Sequence, residues 1–185
     1  MSTPAPATQQ TLANLQTAYN GESNAAAKYT AFAAKADAEG YGYVASLFRA
    51  AARAEQIHAA NHAAVIRKMG GTPEANIETP VVKTTAENLK VAIAGEEYER
   101  DVMYPAFIQQ AQASDNSAAV RTFQYALEAE AEHARLYADA LTELQSRKPQ
   151  ATFYVCAVCG YTVEKLVFER CPVCNHPKEK FEVVK

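Results

Sequence analysis

The chain has 185 residues, 49% of them hydrophobic, with 18 Lys and Arg against 21 Asp and Glu for a net charge of -3. That balance, with no block of Lys or Arg along a helix face, argues against a nucleic-acid or anionic-membrane partner, and no apolar run is long enough to span a bilayer. Met1 to Gln10 are polar and Pro/Ala-rich, without the basic and apolar regions of an export signal, so a cytoplasmic location is expected.

Residues from about Thr11 to Ala38 read as one helix, ended by Glu39-Gly40-Tyr41-Gly42, where two glycines permit a turn. A second helix runs from about Val44 to Met69, with Arg67 and Lys68 suiting its negative end and Gly70-Gly71 just past it. Thr72 to Lys83 contains Pro73 and Pro80 and has no helical period. Such a linker, extended at about 3.4 Å per residue, reaches roughly 40 Å, enough to cross the bundle end to end and leave helices two and three parallel. Thr84-x-x-Glu87 forms a capping box opening a third helix, which continues to about Ala113 with a kink at Pro105. Ser114-Asp115-Asn116-Ser117 makes a short turn, and a fourth helix reaches about Ser146. The fold expected is an all-α, ferritin-like four-helix bundle with one long crossover over residues 11–147, followed by a small module at 152–185.

The two hairpins repeat one another. Asn14-Leu15-x-x-Ala18-x-x-Gly21-Glu22 matches Asn88-Leu89-x-x-Ala92-x-x-Gly95-Glu96, and Phe48, Glu55 and His58 match Phe123, Glu130 and His133. Positions i and i+3 share a helix face, so Glu55-x-x-His58, Glu96-x-x-Glu99 and Glu130-x-x-His133 each aim two ligating groups one way. With Glu22 they satisfy the recipe of a two-metal carboxylate site, a Glu from two helices and Glu-x-x-His from the other two. Glu99 breaks the symmetry, standing where the first hairpin has Ala25. Glu97, Glu128 and Glu132 fall off the ligand face and are expected in solvent, and a surface placement is expected for His62. Tyr29 and Tyr104 lie about two turns from Glu22 and Glu96, where each either hydrogen-bonds a ligand carboxylate or packs in the core.

The C-terminal Cys156-x-x-Cys159 and Cys171-x-x-Cys174 form a four-thiolate metal site, with Tyr154, Tyr161, Phe168 and Phe181 as a miniature core. A thiolate tetrahedron accepts iron or zinc, and zinc loading is expected on overexpression. The neighbouring bundle favours iron as a one-electron centre.

Taken together, the Gly21-Glu22 pair, both Glu-x-x-His pairs, Glu96-x-x-Glu99 with Met103-Tyr104-Pro105, and the cysteine knuckles resemble the rubrerythrins, a ferritin-like di-iron domain plus a rubredoxin-like iron domain. The resemblance implies that Glu55 and Glu130 bridge two irons, Glu22 and Glu96 are terminal, and His133 ligates one iron. It further implies that the other iron exchanges Glu99 for His58 on reduction, and that the four cysteines hold one iron. Asn175-His176 departs from the smaller residues common there.

The activity this implies is a peroxidase reducing hydrogen peroxide to water, with Glu99 and His58 as catalytic residues and a reductase or rubredoxin as electron donor. The rivals are a ferroxidase or iron-storage protein and a non-enzymatic electron carrier or zinc-stapled scaffold. Glu130 and His133 precede the end of helix four by a distance of roughly 20 to 24 Å, which predicts that the module is remote from its own di-metal site and that electrons cross between subunits of a homodimer.

Overall fold

The computed structural model describes residues 6–185 of the chain, and Met1 to Ala5 of the polar N-terminal segment lie outside the described residues. Helix α1 spans Pro6–Ala38, starting a turn earlier than the sequence suggested, and α2 spans Gly42–Lys68. Both end on a left-handed glycine. At Gly40 (φ 78°) and Gly70 (φ 82°) the chain reverses, and the amide N–H groups of Tyr41 and Gly71 close onto the carbonyls of Ala36 and Ile66. No helix among the described residues is long and apolar enough to cross a membrane.

The linker crosses the bundle alongside α1. Gly71 packs on Leu12, with its Cβ position 3.1 Å from Leu12 Cδ1. Gln16 donates to the Glu74 carbonyl at 2.5 Å, and Asn20 accepts from the Asn76 N–H at 2.8 Å. Asn24 accepts from the Glu78 N–H at 2.9 Å, and Glu39 from the Thr85 N–H at 2.8 Å. The backbone groups of a segment without internal structure are thus satisfied by side chains of the helix it follows.

Helix α3 (Thr85–Tyr98) opens on the expected capping box, in which Thr84 accepts from the Glu87 N–H and Glu87 from the Thr84 N–H. The single kinked helix expected up to Ala113 is instead two helices joined by a π-helical turn at Glu99–Met103, with α4 running Tyr104–Ala113. Pro105 has no N–H to give the carbonyl four residues back, and the Tyr104 N–H reaches the Glu99 carbonyl, so the irregularity precedes the proline rather than centring on it. The repeat registers this turn. Before it, Glu22 pairs with Glu96. Beyond it, Tyr29, Phe32 and Ala36 pair with Tyr104, Phe107 and Ala111, one residue later. The π turn holds the one residue that the second hairpin has in excess.

Helix α5 spans Ser117–Thr142, capped by Asn116 onto the Ala119 N–H at 3.0 Å, and stops short of the expected Ser146. The chain then turns back. The Tyr43 N–H donates to the Lys148 carbonyl at 3.3 Å, and Gly42 is so close to Gln150 that a Cβ there would lie 2.9 Å from its nitrogen. A three-stranded antiparallel sheet follows, β1 (Phe153–Cys156), β2 (Thr162–Val163) and β3 (Phe181–Val184), in the order β2-β1-β3. Phe153 and Val155, both fully buried, join the bundle core with Tyr43. Tyr154, expected in the module core, points to the other face of β1 and is half-buried, whereas Phe168 and Phe181 do pack, at 5.5 Å.

Because apolar residues of β1 are buried on α2, the module sits over the bundle and not beyond the end of α5. The predicted separation from its own site is wrong. The Cys159 carbonyl is 3.0 Å from His58 Nε2, the Asn61 amide donates to the Val158 carbonyl at 2.9 Å, and Arg53 forks onto Glu182 at 2.6 and 2.9 Å.

Candidate metal centre

Glu22 on α1, Glu55 and His58 on α2, Glu96 on α3, and Glu130 and His133 on α5 converge in the bundle, all but inaccessible to solvent. Their ligand atoms form two groups, Glu22, Glu55, His58 and Glu130 in one, and Glu55, Glu96, Glu130 and His133 in the other. Glu55 and Glu130 belong to both. The buried oxygens Glu22 Oε2, Glu55 Oε1, Glu96 Oε2 and both of Glu130, with His133 Nδ1, have no hydrogen-bond partner. Yet Glu130 Oε1 lies 2.9 Å from His58 Nδ1, and Glu130 Oε2 2.9 Å from His133 Nδ1. Groups this close without hydrogen-bond alignment direct their lone pairs to common points. About 3 Å separates neighbouring ligands of an octahedral cation bound at ~2.1 Å. The residues fit two cations that share Glu55 and Glu130.

The electrostatics agree. Burial raises the Glu55 carboxyl well above the usual range, helped by repulsion from Glu130, Glu22 and Glu96, and burial with repulsion from Glu130 pushes Glu96 up to about 7. Burial also opposes charge on Glu22 and Glu130, but His58 beside both outweighs it and holds them low. His58 and His133 are in turn raised well above the imidazole range: burial opposes their charge, and the carboxylates, Glu130 above all, overcome it. Two imidazolium charges thus offset the carboxylates, a role that two cations fill while displacing the protons.

Without cations, the protein should lose stability as pH rises. The value for Glu96 in the fold, about 7, lies above its ordinary 4.5, so its contribution is complete below pH 4.5 and disappears towards pH 7. Glu39 acts oppositely, since hydrogen bonds from Thr85 and Lys35 hold it at about 2, and its contribution is lost only below pH 4.5. The thermal midpoint of the chelated protein is therefore expected to fall between pH 4.5 and 7, and a flat or rising midpoint would contradict this balance.

Of the other residues singled out in the sequence, Glu99 lies outside both groups, half-buried on the π turn. Burial, with Glu22 nearby, raises its carboxyl well above the usual range. Tyr29 donates to Glu96 Oε1 at 2.8 Å and Tyr104 donates to Glu22 Oε1, so both tyrosines hold ligand carboxylates. Glu97 and Glu128 are exposed and Glu132 pairs with Arg135. His62 overturns its surface assignment. It is fully buried, with Nε2 3.1 Å from the Tyr104 hydroxyl and Nδ1 3.0 Å from Thr122 Oγ1. Its place one turn beyond His58, and the repeat's match of His62 to the aromatic Tyr137, were the available signals.

In the module, Cys156, Cys159, Cys171 and Cys174 form a third group. Their sulfurs approach at 3.6 Å in two pairs, near the ~3.8 Å edge of a tetrahedron with bonds of ~2.3 Å. His176 is exposed beside them and bonds the Cys174 carbonyl at 3.1 Å. The module also grips both histidines of the bundle, since the Cys159 carbonyl meets His58 Nε2 and Thr162 Oγ1 lies 3.1 Å from His133 Nε2.

A family profile described as Rubrerythrin matches residues 13–141, and one described as Rubrerythrin, rubredoxin-like domain, matches 154–182. Nigerythrin of Nitratidesulfovibrio vulgaris is 41% identical over 172 residues, 92% of this chain and 85% of that protein. Rubrerythrin-2 of Clostridium acetobutylicum is 36% identical over 173 residues, 91% and 93% of the two chains. A solved structure of nigerythrin in its fully reduced, all-ferrous state superposes with a TM-score of 0.87 at 38% identity, covering 99% of this chain and 88% of that one. The bacterioferritin of Desulfovibrio desulfuricans, 22% identical over 75% of this chain and 82% of its own, shares the bundle fold with a TM-score of 0.70.

Proposed function

Since the chain belongs to the rubrerythrin family, we propose that it is a non-haem di-iron peroxidase that reduces hydrogen peroxide to water. The observation that carries this reading is the contact between the Cys159 carbonyl and His58 Nε2, which joins a one-electron centre to a two-metal centre. With iron bound, the bundle residues would hold the two-electron reductant that cleavage of an O–O bond needs, and the four cysteines a centre that passes electrons singly.

The residues have distinct parts. Glu55 and Glu130, which belong to both ligand groups, would hold both irons, Glu22 with His58 and Glu96 with His133 would complete the two positions, and Glu99 would be the carboxylate that takes the place of His58. Tyr104 and Tyr29 hold Glu22 and Glu96 in place. Burial and the neighbouring Glu22 favour the protonated form of Glu99, which would make it a proton donor to the leaving oxygen while it stands off the metals. Leu15, Phe48, Phe123 and Leu136 are fully or almost fully buried in the bundle that surrounds the site and exclude water from it. Electrons enter through Cys159 and His58 of the same chain, so the distance argument for a dimer falls away. The partners are peroxide and an external electron donor, a reductase or a separate rubredoxin.

Peroxide consumption coupled to a reductase tests this directly against ferroxidase activity with ferrous iron and oxygen. Faster turnover of iron and oxygen would reverse the assignment. Within the proposal, Glu99→Ala should leave the fold and iron content intact, as Ala25 already occupies the matching place, while kcat for peroxide falls about 100-fold. Iron analysis with steady-state kinetics checks both halves, and unchanged kcat would remove Glu99 from the proton supply.

A further inference from the structure

The two halves of the bundle site are near copies, and apart from Glu99, which has Ala25 at its matching place, they differ in the polar groups that back the terminal carboxylates. The repeat pairs Glu22 with Glu96, Tyr104 with Tyr29, His62 with Tyr137 and Thr122 with Leu47. On the Glu96 side the polar row is short. Tyr29 donates to Glu96, the neighbouring Tyr137 ring is 5.6 Å away centre to centre, and the buried Tyr137 hydroxyl has no partner. Leu47, fully buried, adds nothing polar.

On the Glu22 side the row continues. Tyr104 bonds Glu22, His62 Nε2 lies 3.1 Å from the Tyr104 oxygen, and Thr122 Oγ1 lies 3.0 Å from His62 Nδ1. Donor direction follows by elimination. A carboxylate only accepts, so Tyr104 gives its proton to Glu22, and its oxygen accepts from His62 Nε2–H. A neutral imidazole has a single N–H, so Nδ1 accepts from the Thr122 hydroxyl. Every proton in the row points towards Glu22, and aligned bonds polarise one another by ~10–30% each.

We propose that His62 is a positioning residue that adds to the inequality of the two metal positions, by completing a one-way row of donors that ends on Glu22 and has no counterpart on Glu96. Donors aimed at a ligating carboxylate draw its charge away from the metal, so iron beside Glu22 keeps its added electron more tightly than iron beside Glu96. The inference rests on the di-iron reading of the site.

Its test is the yield of the half-reduced, one-electron state during a redox titration of the iron-loaded protein, followed by electron paramagnetic resonance. That yield grows with the difference between the two positions. His62→Leu should lower the comproportionation constant about fivefold, the factor that one hydrogen bond of ordinary net strength carries. His62→Gln, which keeps a donor for Tyr104 and an acceptor for Thr122, should restore it. An unchanged constant in His62→Leu with two irons bound overturns the proposal. Should that variant fail to load iron, Thr122→Val, which removes only the outermost donor, decides: a lowered constant supports the role of His62 and an unchanged one refutes it. Wild-type protein holding fewer than two irons in the bundle would instead contradict the di-iron reading itself.

Discussion

Glu55→Gln is expected to empty both bundle metal positions while making the metal-free protein more stable. Glu55 belongs to both ligand groups, and its Oε1 has no other partner, so an amide there removes a charged donor from each cation at once. The stability change has the opposite sign. Burial and three neighbouring carboxylates disfavour a charge on Glu55, and glutamine fills the same volume without one. A gain of about 1 kcal/mol corresponds to roughly 2–4 °C in a chain of this size. Iron analysis should find the bundle metals gone and peroxide turnover lost with them. Calorimetry of the chelated proteins at pH 7 should find the variant melting higher. Retained iron, or a lower midpoint, would contradict the account of the site.

Gly160→Ala should uncouple the two centres without emptying either. A Cβ at Gly160 would lie 2.2 Å from His58 Nε2, and the residue sits at φ 80°, which a side chain tolerates poorly. Either His58 leaves its place or the module lifts from the bundle, and both break the contact with the Cys159 carbonyl. A misplacement of about 1 Å can cost on the order of 10²-fold in rate. Stopped-flow reoxidation of the ferrous four-cysteine centre by peroxide should slow by about that factor, with iron content unchanged in both sites. Gly21→Ala is the control, since nothing lies within 4 Å of its Cβ position and alanine suits a helix better than glycine. Equal rates in the two variants would show that the electron path runs elsewhere.

The ligands were legible because helical periodicity is a local property. Glu55 and His58, or Glu130 and His133, share a face whatever the helix packs against, and the repeat supplied the partner helices. The cysteine quartet was legible for the same reason, since two C-x-x-C knuckles have little other use in so small a module. The crossover too could be anticipated from its length and prolines. The π turn was harder to foresee. Pro105 announced a disturbance in helix three, but its position at Glu99–Met103 shows in sequence only as the one-residue slip that pairs Tyr29 with Tyr104.

His62 and the docking of the module were not legible. A histidine at the margin of an apolar face is buried or exposed according to what another helix offers it, and Tyr104 and Thr122, far along the chain, make its burial affordable. The module's place was extrapolated along the axis of α5, but the reversal after Thr142 is set by Phe153 and Val155 seeking the core beside Tyr43. Sequence alone therefore determined which candidate metal-binding groups converge and the bundle that presents them, because both follow from spacing within single elements. Only the tertiary structure decided which polar neighbours back the ligands, that Glu99 stands apart while His58 stands in, and that Cys159 meets His58. Each of these depends on contacts between residues distant in the chain, where burial of apolar surface and satisfaction of buried polar groups are settled together.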